Sequence, residues 1–145
     1  MSWADAKTQL ATVLATVAIT SPIVQTIKRV YSDPPGTIAD LPCLIIFPPA
    51  VIIERNYGHR DKSYIVRCQL FVTDADLDRA AALVDAYREA MIDVMDDNTE
   101  LNGTSESAML DRIEEAKALE YGGRNCTGFS AFITVRLHDN KTFGS

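Results

Sequence analysis

The sequence has no surplus of basic residues. It carries 14 Lys and Arg against 20 Asp and Glu, which gives a formal net charge of −6 over 145 residues. A protein that holds the phosphate backbone of DNA or RNA concentrates Lys and Arg on one surface. The acidic balance therefore predicts that nucleic acid is not a tightly bound partner.

Cysteine is also scarce. The three cysteines, Cys43, Cys68 and Cys126, are odd in number and widely spaced. A small secreted domain that depends on disulfides usually has an even and denser set. Because Cys43 and Cys68 lie in apolar strand patterns, we predict small buried side chains in a protein made in a reducing compartment.

No stretch is apolar enough to suggest a membrane span. The uncharged residues 8–26 include six Thr or Ser residues, two Gln and Pro22, which is too polar for the interior of a bilayer. A signal peptide also needs a basic leader, whereas Asp5 precedes Lys7 here. We expect a protein made in the cytoplasm, with no membrane partner.

Histidine is rare as well, which limits the possible chemistry. His59 and His138 are the only histidines, and neither has a Cys, His or Glu at ligand spacing in the sequence. This predicts no structural zinc site and places His59 in a solvated loop. A Ser or Cys nucleophile would need one of these two side chains as its base, and no such arrangement is visible.

Other catalytic and binding motifs are incomplete. Residues 74–78 begin like a calcium loop, but Arg79 and Asp85 stand where Gly and Glu are required. We interpret Asp74 or Asp76 as the cap of a helix instead. Gly122 and Gly123 form a turn without the following helix of a phosphate-binding loop. We therefore predict no enzyme, no cofactor and no metal.

Apolar periodicity is what the sequence does contain. Residues 64–73 alternate between apolar and mixed positions, the two-residue repeat of a strand. From Asp74 the spacing lengthens to three and four residues, which predicts a long helix over residues 76–96. The apolar positions of this helix are Leu77, Ala80, Val84, Tyr87, Met91 and Val94.

The remaining elements follow from local signals. Ser2 can cap a first helix, with Asp5 in a capping-box position, and Pro22 is expected to end that helix. We predict strands over residues 23–31, 43–47, 50–57 and 129–137, with residues 50–57 and 63–73 forming a hairpin across the polar residues 57–62. Residues 106–121 fit a helix, and residues 113–121 fit an amphipathic strand equally well.

These elements predict an α+β fold: a mainly antiparallel sheet of four to five strands with two long helices packed on one face. We expect one domain over residues 1–138 and a flexible tail over residues 139–145. The second face of the sheet carries Ile65, Phe71 and Phe132, which is more apolar surface than solvent requires. A partner is expected to cover it.

Positive charge is concentrated on the predicted hairpin, at Arg55, His59, Arg60 and Lys62. One interpretation is a solubilising loop. The other is a projecting arm that docks on an acidic surface of a neighbouring copy.

The order of elements resembles a known family. A capped helix precedes the Leu41-Pro42 strand over residues 43–47, a polar-tipped hairpin returns through residues 64–72, and a long helix leads to a final strand over residues 128–137. This order is similar to that of the tail-terminator and neck proteins of long-tailed bacteriophages, over residues 2–137.

The resemblance implies a structural protein of the virion, located at the junction of tail and neck after assembly in the host cytoplasm. It implies a homo-oligomeric ring, a hexamer in this family, which caps the tail tube and stops its polymerisation. Its partners would be the major tail tube protein and a head-completion or connector protein, with DNA passing through the lumen without specific binding. The alternatives are another neck or tail-completion component, or a small α+β domain that binds a ligand or protein.

Overall fold

A computed structural model describes residues 2–56 and 58–139 of the chain. The helices are α1 (Trp3–Leu14) and α2 (Leu77–Asp96), and a short 3-10 turn spans Leu101–Gly103. The strands are β1 (Ala18–Ile19), β2 (Gln25–Thr26), β3 (Arg29–Tyr31), β4 (Cys43–Ile46), β5 (Ala50–Asn56), β6 (His59–Thr73), β7 (Ser107–Ile113), β8 (Lys117–Tyr121) and β9 (Arg124–Asp139). In the described part of the chain, no helix is both long enough and apolar enough to cross a lipid bilayer.

Two long strands, β6 and β9, form the centre of the main sheet. They pair antiparallel along almost their whole length, from Arg60 opposite Asp139 to Thr73 opposite Thr127. Strands β4 and β5 pair with the other side of β6, while β7 and β8 pair with the other side of β9. β3 joins β4 in parallel. The α+β class and the mainly antiparallel sheet are confirmed, and the sheet has seven strands instead of the predicted four to five.

Alternation along β6 and β9 separates two sets of side chains. Positions such as Val66 and Ile133 are fully buried and belong to the larger core cluster. Residues of both helices belong to the same cluster: Ala6, Leu10, Val13 and Leu14 from α1, and Ala80, Val84, Tyr87, Met91 and Met95 from α2. Tyr87 also donates a hydrogen bond to Gln25 Oε1 at 2.9 Å, so its hydroxyl has a partner at the edge of the core.

The first helix begins as predicted and ends early. The Oγ of Ser2 accepts a hydrogen bond from the backbone N–H of Asp5 at 3.1 Å, which confirms the cap. The helix ends at Leu14 and does not continue to Pro22, because β-branched residues follow and the Thr16 hydroxyl bonds to the Val13 carbonyl at 2.6 Å. The predicted strand over residues 23–31 is divided into β2 and β3.

The ambiguous residues 106–121 form strands. β7 and β8 both pair with β9, and the chain leaves the ladder between them. Gly122 and Gly123, with φ of 58° and 82°, make the two-residue turn from β8 to β9, where Tyr121 pairs with Arg124. Positive φ at both central positions is the requirement of a tight hairpin turn, which explains two consecutive glycines.

One of the predicted exposed residues is in the interior. Phe71 is fully buried in a second core cluster with Ile38, Cys43, Ile45, Leu119 and Cys126. The chain itself therefore covers the second sheet face at this end, so the expectation that a partner covers Phe71 is wrong. Sequence periodicity correctly separated the two faces but could not show that residues 36–41 and β8 pack there.

Two predictions fall at the limits of the described residues. Asp139 of the predicted flexible tail is the last residue of β9, while residues 140–145 lie outside the described part of the chain. Tyr57, predicted to end the hairpin's first strand, also lies outside it.

Candidate subunit interface and histidine cluster

The predicted hairpin is longer and tighter than expected. β6 begins at His59, not Ser63, and Asn56 already pairs with His59. Gly58 has a φ of 83°, the conformation that glycine supplies in tight turns. We call β5 together with residues 59–65 of β6 the hairpin arm.

The outer strand of the hairpin arm carries exposed apolar side chains. Val51, Ile52 and Ile53 are 43%, 51% and 46% exposed. Within the described residues β5 pairs only with β6, so its other edge offers backbone N–H and C=O groups to solvent. An exposed apolar edge strand is a template for pairing with another chain, and native proteins normally protect such edges.

Alternation divides the four basic residues that the sequence grouped together. Arg55 pairs with Arg60, and Lys62 lies two residues further along β6, so these three share one face of the hairpin arm. The Lys62 ammonium lies 5.9 Å from the centre of the Tyr64 ring on the same face. His59 points to the opposite face. We call Arg55, Arg60 and Lys62 the basic stripe.

The opposite face of the sheet is open at this end. Ile65 and Phe132 are half-buried, while Ile52 and Met109 are 51% and 61% exposed. The Arg112 guanidinium lies over the Phe132 ring, 4.2 Å from its centre. We call Ile52, Ile65, Met109 and Phe132 the open face. It retains two of the three apolar interface candidates predicted from the sequence, because Phe71 is buried elsewhere.

A histidine cluster lies beside the open face. Asp61 pairs with His138 across β6 and β9, and His59 is two residues from Asp61 on the same strand face. The Asp61 carboxylate bonds to His138 Nδ1, lies 3.3 Å from Arg136 Nη2, and lies 4.0 Å from His59 Nε2. The hydrogen bond from His138, followed by that from Arg136, holds the pKa of Asp61 below its usual value, although burial opposes this.

This cluster corrects two predictions. His59 is half-buried in a strand and does not sit in a solvated loop. The two histidines, although 79 positions apart in the printed sequence, are close enough for their ring centres to lie 5.0 Å apart. Ligand spacing along the chain could not reveal this, because the contact depends on the register of β6 against β9.

A charged pair ties the start of α2 to the β8–β9 turn. Arg124 donates to both carboxylate oxygens of Asp74, at 2.9 and 3.2 Å, and to the Ala39 carbonyl at 2.5 Å. The hydrogen bond from Arg124 lowers the pKa of Asp74. Asp76 occupies the N-cap position of α2 without a side-chain capping bond. The prediction that one of these residues caps the helix is therefore confirmed for the position of Asp76, although its side chain makes no capping hydrogen bond.

A cleft lies between α2 and β7. It has a volume of about 680 Å³, and its walls include Asp85, Glu89, Asp96 and Arg112. Neither histidine and none of the three cysteines lines it. All three cysteines are buried, as predicted for Cys43 and Cys68, and burial raises the pKa of the Cys68 thiol to about 12.

Comparison of the sequence with models of protein families and with curated proteins finds no match. Functional inference therefore depends on the geometry of the hairpin arm, the open face and the histidine cluster, together with the resemblance in element order.

Proposed function

We propose that this protein is a structural component of a phage virion, a tail terminator. Copies of the chain form a ring, hexameric by analogy with the family it resembles, that ends the tail tube and joins it to the head. The major tail tube protein and a head-completion or connector protein are its partners, and it carries out no catalysis. Another neck or tail-completion component is the closest variant of this proposal.

The observation that carries the proposal is the apolar edge of β5. Three consecutive residues, Val51, Ile52 and Ile53, are about half exposed on a strand that pairs on one side only in the described structure. Burying such residues between copies removes apolar area from water, and backbone pairing fixes the orientation of the neighbour. A ring, in which each copy uses two different patches, gives every such edge a partner.

The placement of the helices agrees with this arrangement. We infer that α1 and α2 both cover the sheet face that carries Val66 and Ile133, because both helices share one core cluster with these strands. The hairpin arm would then project beyond the helical layer. Ile53 lies on the face that the helices cover and Ile52 on the opposite face, and both are exposed. Exposure on both faces supports this placement.

The protein has two oppositely charged surfaces that could meet between neighbouring copies in a ring. The basic stripe lies on the hairpin arm, whereas the outer surface of α2 carries the exposed acidic residues Asp85, Glu89, Asp93 and Asp96 at helical spacing. We propose that the basic stripe of one copy faces this α2 acidic surface of the next. Opposite charges of this kind steer association and fix its register more than they add affinity.

A single substitution tests the role of the edge. Replacing Ile52 with Lys places a charge in the proposed strand pairing, and we expect loss of the ring, measured as particle mass by light scattering and native mass spectrometry. Ile23→Lys is the matched control, because Ile23 is 50% exposed and lies outside the hairpin arm. Thermal unfolding of both variants checks that the subunit still folds.

Assembly should also be measured with the tail tube protein present, since a terminator can require the tube end before it forms a ring. We expect electron micrographs of the mixture to show tubes of limited length with a capped end. Wild-type protein that remains monomeric alone and leaves tube growth unchanged would contradict the proposal, as would Ile52→Lys protein that caps tubes normally.

A small binding domain is the second candidate, and the cleft between α2 and β7 is the observation that favours it. A cleft of about 680 Å³ is within the range of sites for small molecules. Its walls carry four acidic and two basic side chains, a balance that would favour a cationic ligand. If the protein is monomeric and small cationic compounds raise its melting temperature, this function would be supported over the ring.

A further inference from the structure

We propose that His59, Asp61 and His138 bind a divalent transition-metal ion of the zinc class. One ligand atom from each of these residues lies within 4.8 Å of the other two. This inference does not depend on the ring, because all three residues belong to one chain.

The backbone holds these ligands in place. Asp61 is paired with His138 on one side and with Glu54 of β5 on the other, so it occupies the middle of three hydrogen-bonded strands. The Asp61 side chain is only 10% exposed, while His59 and His138 are 34% and 36% exposed. The cluster therefore has a fixed carboxylate and two imidazoles at the surface, where an ion can enter.

The ligand set selects the class of metal. Two imidazole nitrogens and one carboxylate oxygen suit Zn²⁺, Co²⁺ or Ni²⁺, whereas Ca²⁺ and Mg²⁺ prefer oxygen ligands alone. Tetrahedral zinc with bonds of about 2.0–2.1 Å separates its ligand atoms by about 3.4 Å. The ligand atoms, now up to 4.8 Å apart, must approach by at most about 1.4 Å, and His138 Nδ1 must move away from the Asp61 oxygen that it bonds. His59 and His138, 34% and 36% exposed, can make such shifts.

The charges near the cluster must also accommodate the ion. In the structure a proton lies between His138 Nδ1 and the Asp61 carboxylate. Zinc would displace this proton, since an imidazole nitrogen that binds a metal must be deprotonated. Arg136 contacts Asp61 at 3.3 Å, and its Nε lies 4.0 Å from Glu106 Oε2. The Arg136 guanidinium can therefore pair with Glu106 when Asp61 binds metal. The carboxylate of Glu54, which pairs with Asp61 across the strands, adds negative charge to the same face.

The competing explanation is a hydrogen-bond cluster that only joins β6 to β9. Zinc titration of untagged, chelator-treated protein distinguishes the two. We expect one Zn²⁺ per chain, measured by competition with a chromophoric chelator. Because the sequence has only two histidines, nitrogen-15 spectra of the imidazoles give a direct signal, and both rings should shift together on binding.

Two variants make the result specific. His59→Ala should weaken zinc binding at least tenfold, and this residue is chosen because the Asp61–His138 bond between the strands stays intact. Asp111→Asn is the control, since this carboxylate binds Thr134 on the same sheet face away from the histidines. Imidazole spectra unchanged by Zn²⁺, or equal affinity in wild type and His59→Ala, would overturn the proposal and leave the hydrogen-bond cluster.

Discussion

Gly128 lies at a position where two backbones approach too closely for a side chain. It pairs with Phe71 beside the bulge in β6, and a Cβ atom at Gly128 would lie 2.0 Å from the Leu70 carbonyl oxygen. Because the obstacle is backbone in the central strand pair, it cannot move without disturbing the ladder. We expect Gly128→Ala to lower the free energy of unfolding by about 2–3 kcal/mol or more, measured by urea denaturation.

Gly36 provides the matched control for this prediction. A Cβ at Gly36 would meet nothing within 4 Å, so Gly36→Ala should leave the free energy of unfolding within about 0.5 kcal/mol of wild type. Equal stability of the two variants would show that β6 and β9 are not as close at the bulge as the structure places them.

Burial of single residues could be predicted from the sequence where the residue is apolar and lies in an alternating pattern. Cys43 and Cys68 are buried as predicted, and burial raises the pKa of the Cys43 thiol to about 11. Asp61 is the contrary case, a buried carboxylate in a segment predicted to be polar and solvated. Its burial is tolerated because Arg136 and His138 pair with it, and residues so distant along the chain cannot be identified as partners from periodicity.

At the scale of elements, periodicity predicted α2 and the central part of β6 closely and left residues 106–121 undecided. Met109 and Ile113 fit a helical stripe as well as a strand, so local pattern could not separate the two. β9 decides the outcome, since its free edge accepts both β7 and β8 as partners. The histidine cluster escaped prediction for the same reason, because strand pairing brings it together.

The Asp74–Arg124 pair links two elements, the start of α2 and the β8–β9 turn, and it predicts a pH dependence. Pairing with Arg124 lowers the pKa of Asp74 from its ordinary value of 3.8. A lowered folded-state pKa stabilises the protein above the unfolded pKa, and this contribution is lost as pH falls through the folded value. We expect Asp74→Asn to lower the melting temperature at pH 7 and to have a smaller effect below about pH 4.

A double-mutant cycle checks that Arg124 is the cause. In an Arg124→Gln background the pH-dependent part of the Asp74→Asn effect should disappear, because the interaction is already absent. The same melting-temperature difference at pH 7 with and without Arg124 would assign the effect to other neighbours of Asp74, such as the Cys126 thiol at 3.8 Å.

At the scale of the whole molecule, the second sheet face is covered at one end and open at the other. The chain's own second core cluster, which contains Phe71 and Leu119, closes the first end. The open face and the exposed edge of β5 leave the other end without cover in the described structure. Because exposed apolar area of this kind usually marks an interface, assembly is the property by which the proposed function is best judged.

The basic stripe allows the charge of the hairpin arm to be reversed. We expect the triple variant Arg55→Glu, Arg60→Glu and Lys62→Glu to assemble more weakly, because in the proposed contact it places negative charge against the α2 acidic surface of the next copy. Particle mass at several ionic strengths is the measurement. Wild-type assembly should weaken as salt rises, since exposed charges are screened over about 10 Å at 0.1 M salt.

A second triple variant, Lys28→Glu, Arg79→Glu and Lys117→Glu, changes the net charge by the same amount at exposed positions outside the hairpin arm. If assembly depends on where the charges lie and not on the net charge of the chain, this variant should assemble like wild type. Reversing Asp85, Glu89 and Asp93 to Lys in the arm variant should then restore assembly, because the two patches become complementary again with their signs exchanged. Assembly of the arm variant equal to that of wild type at low salt would remove the basic stripe from the interface, and the apolar edge of β5 would have to direct the contact alone.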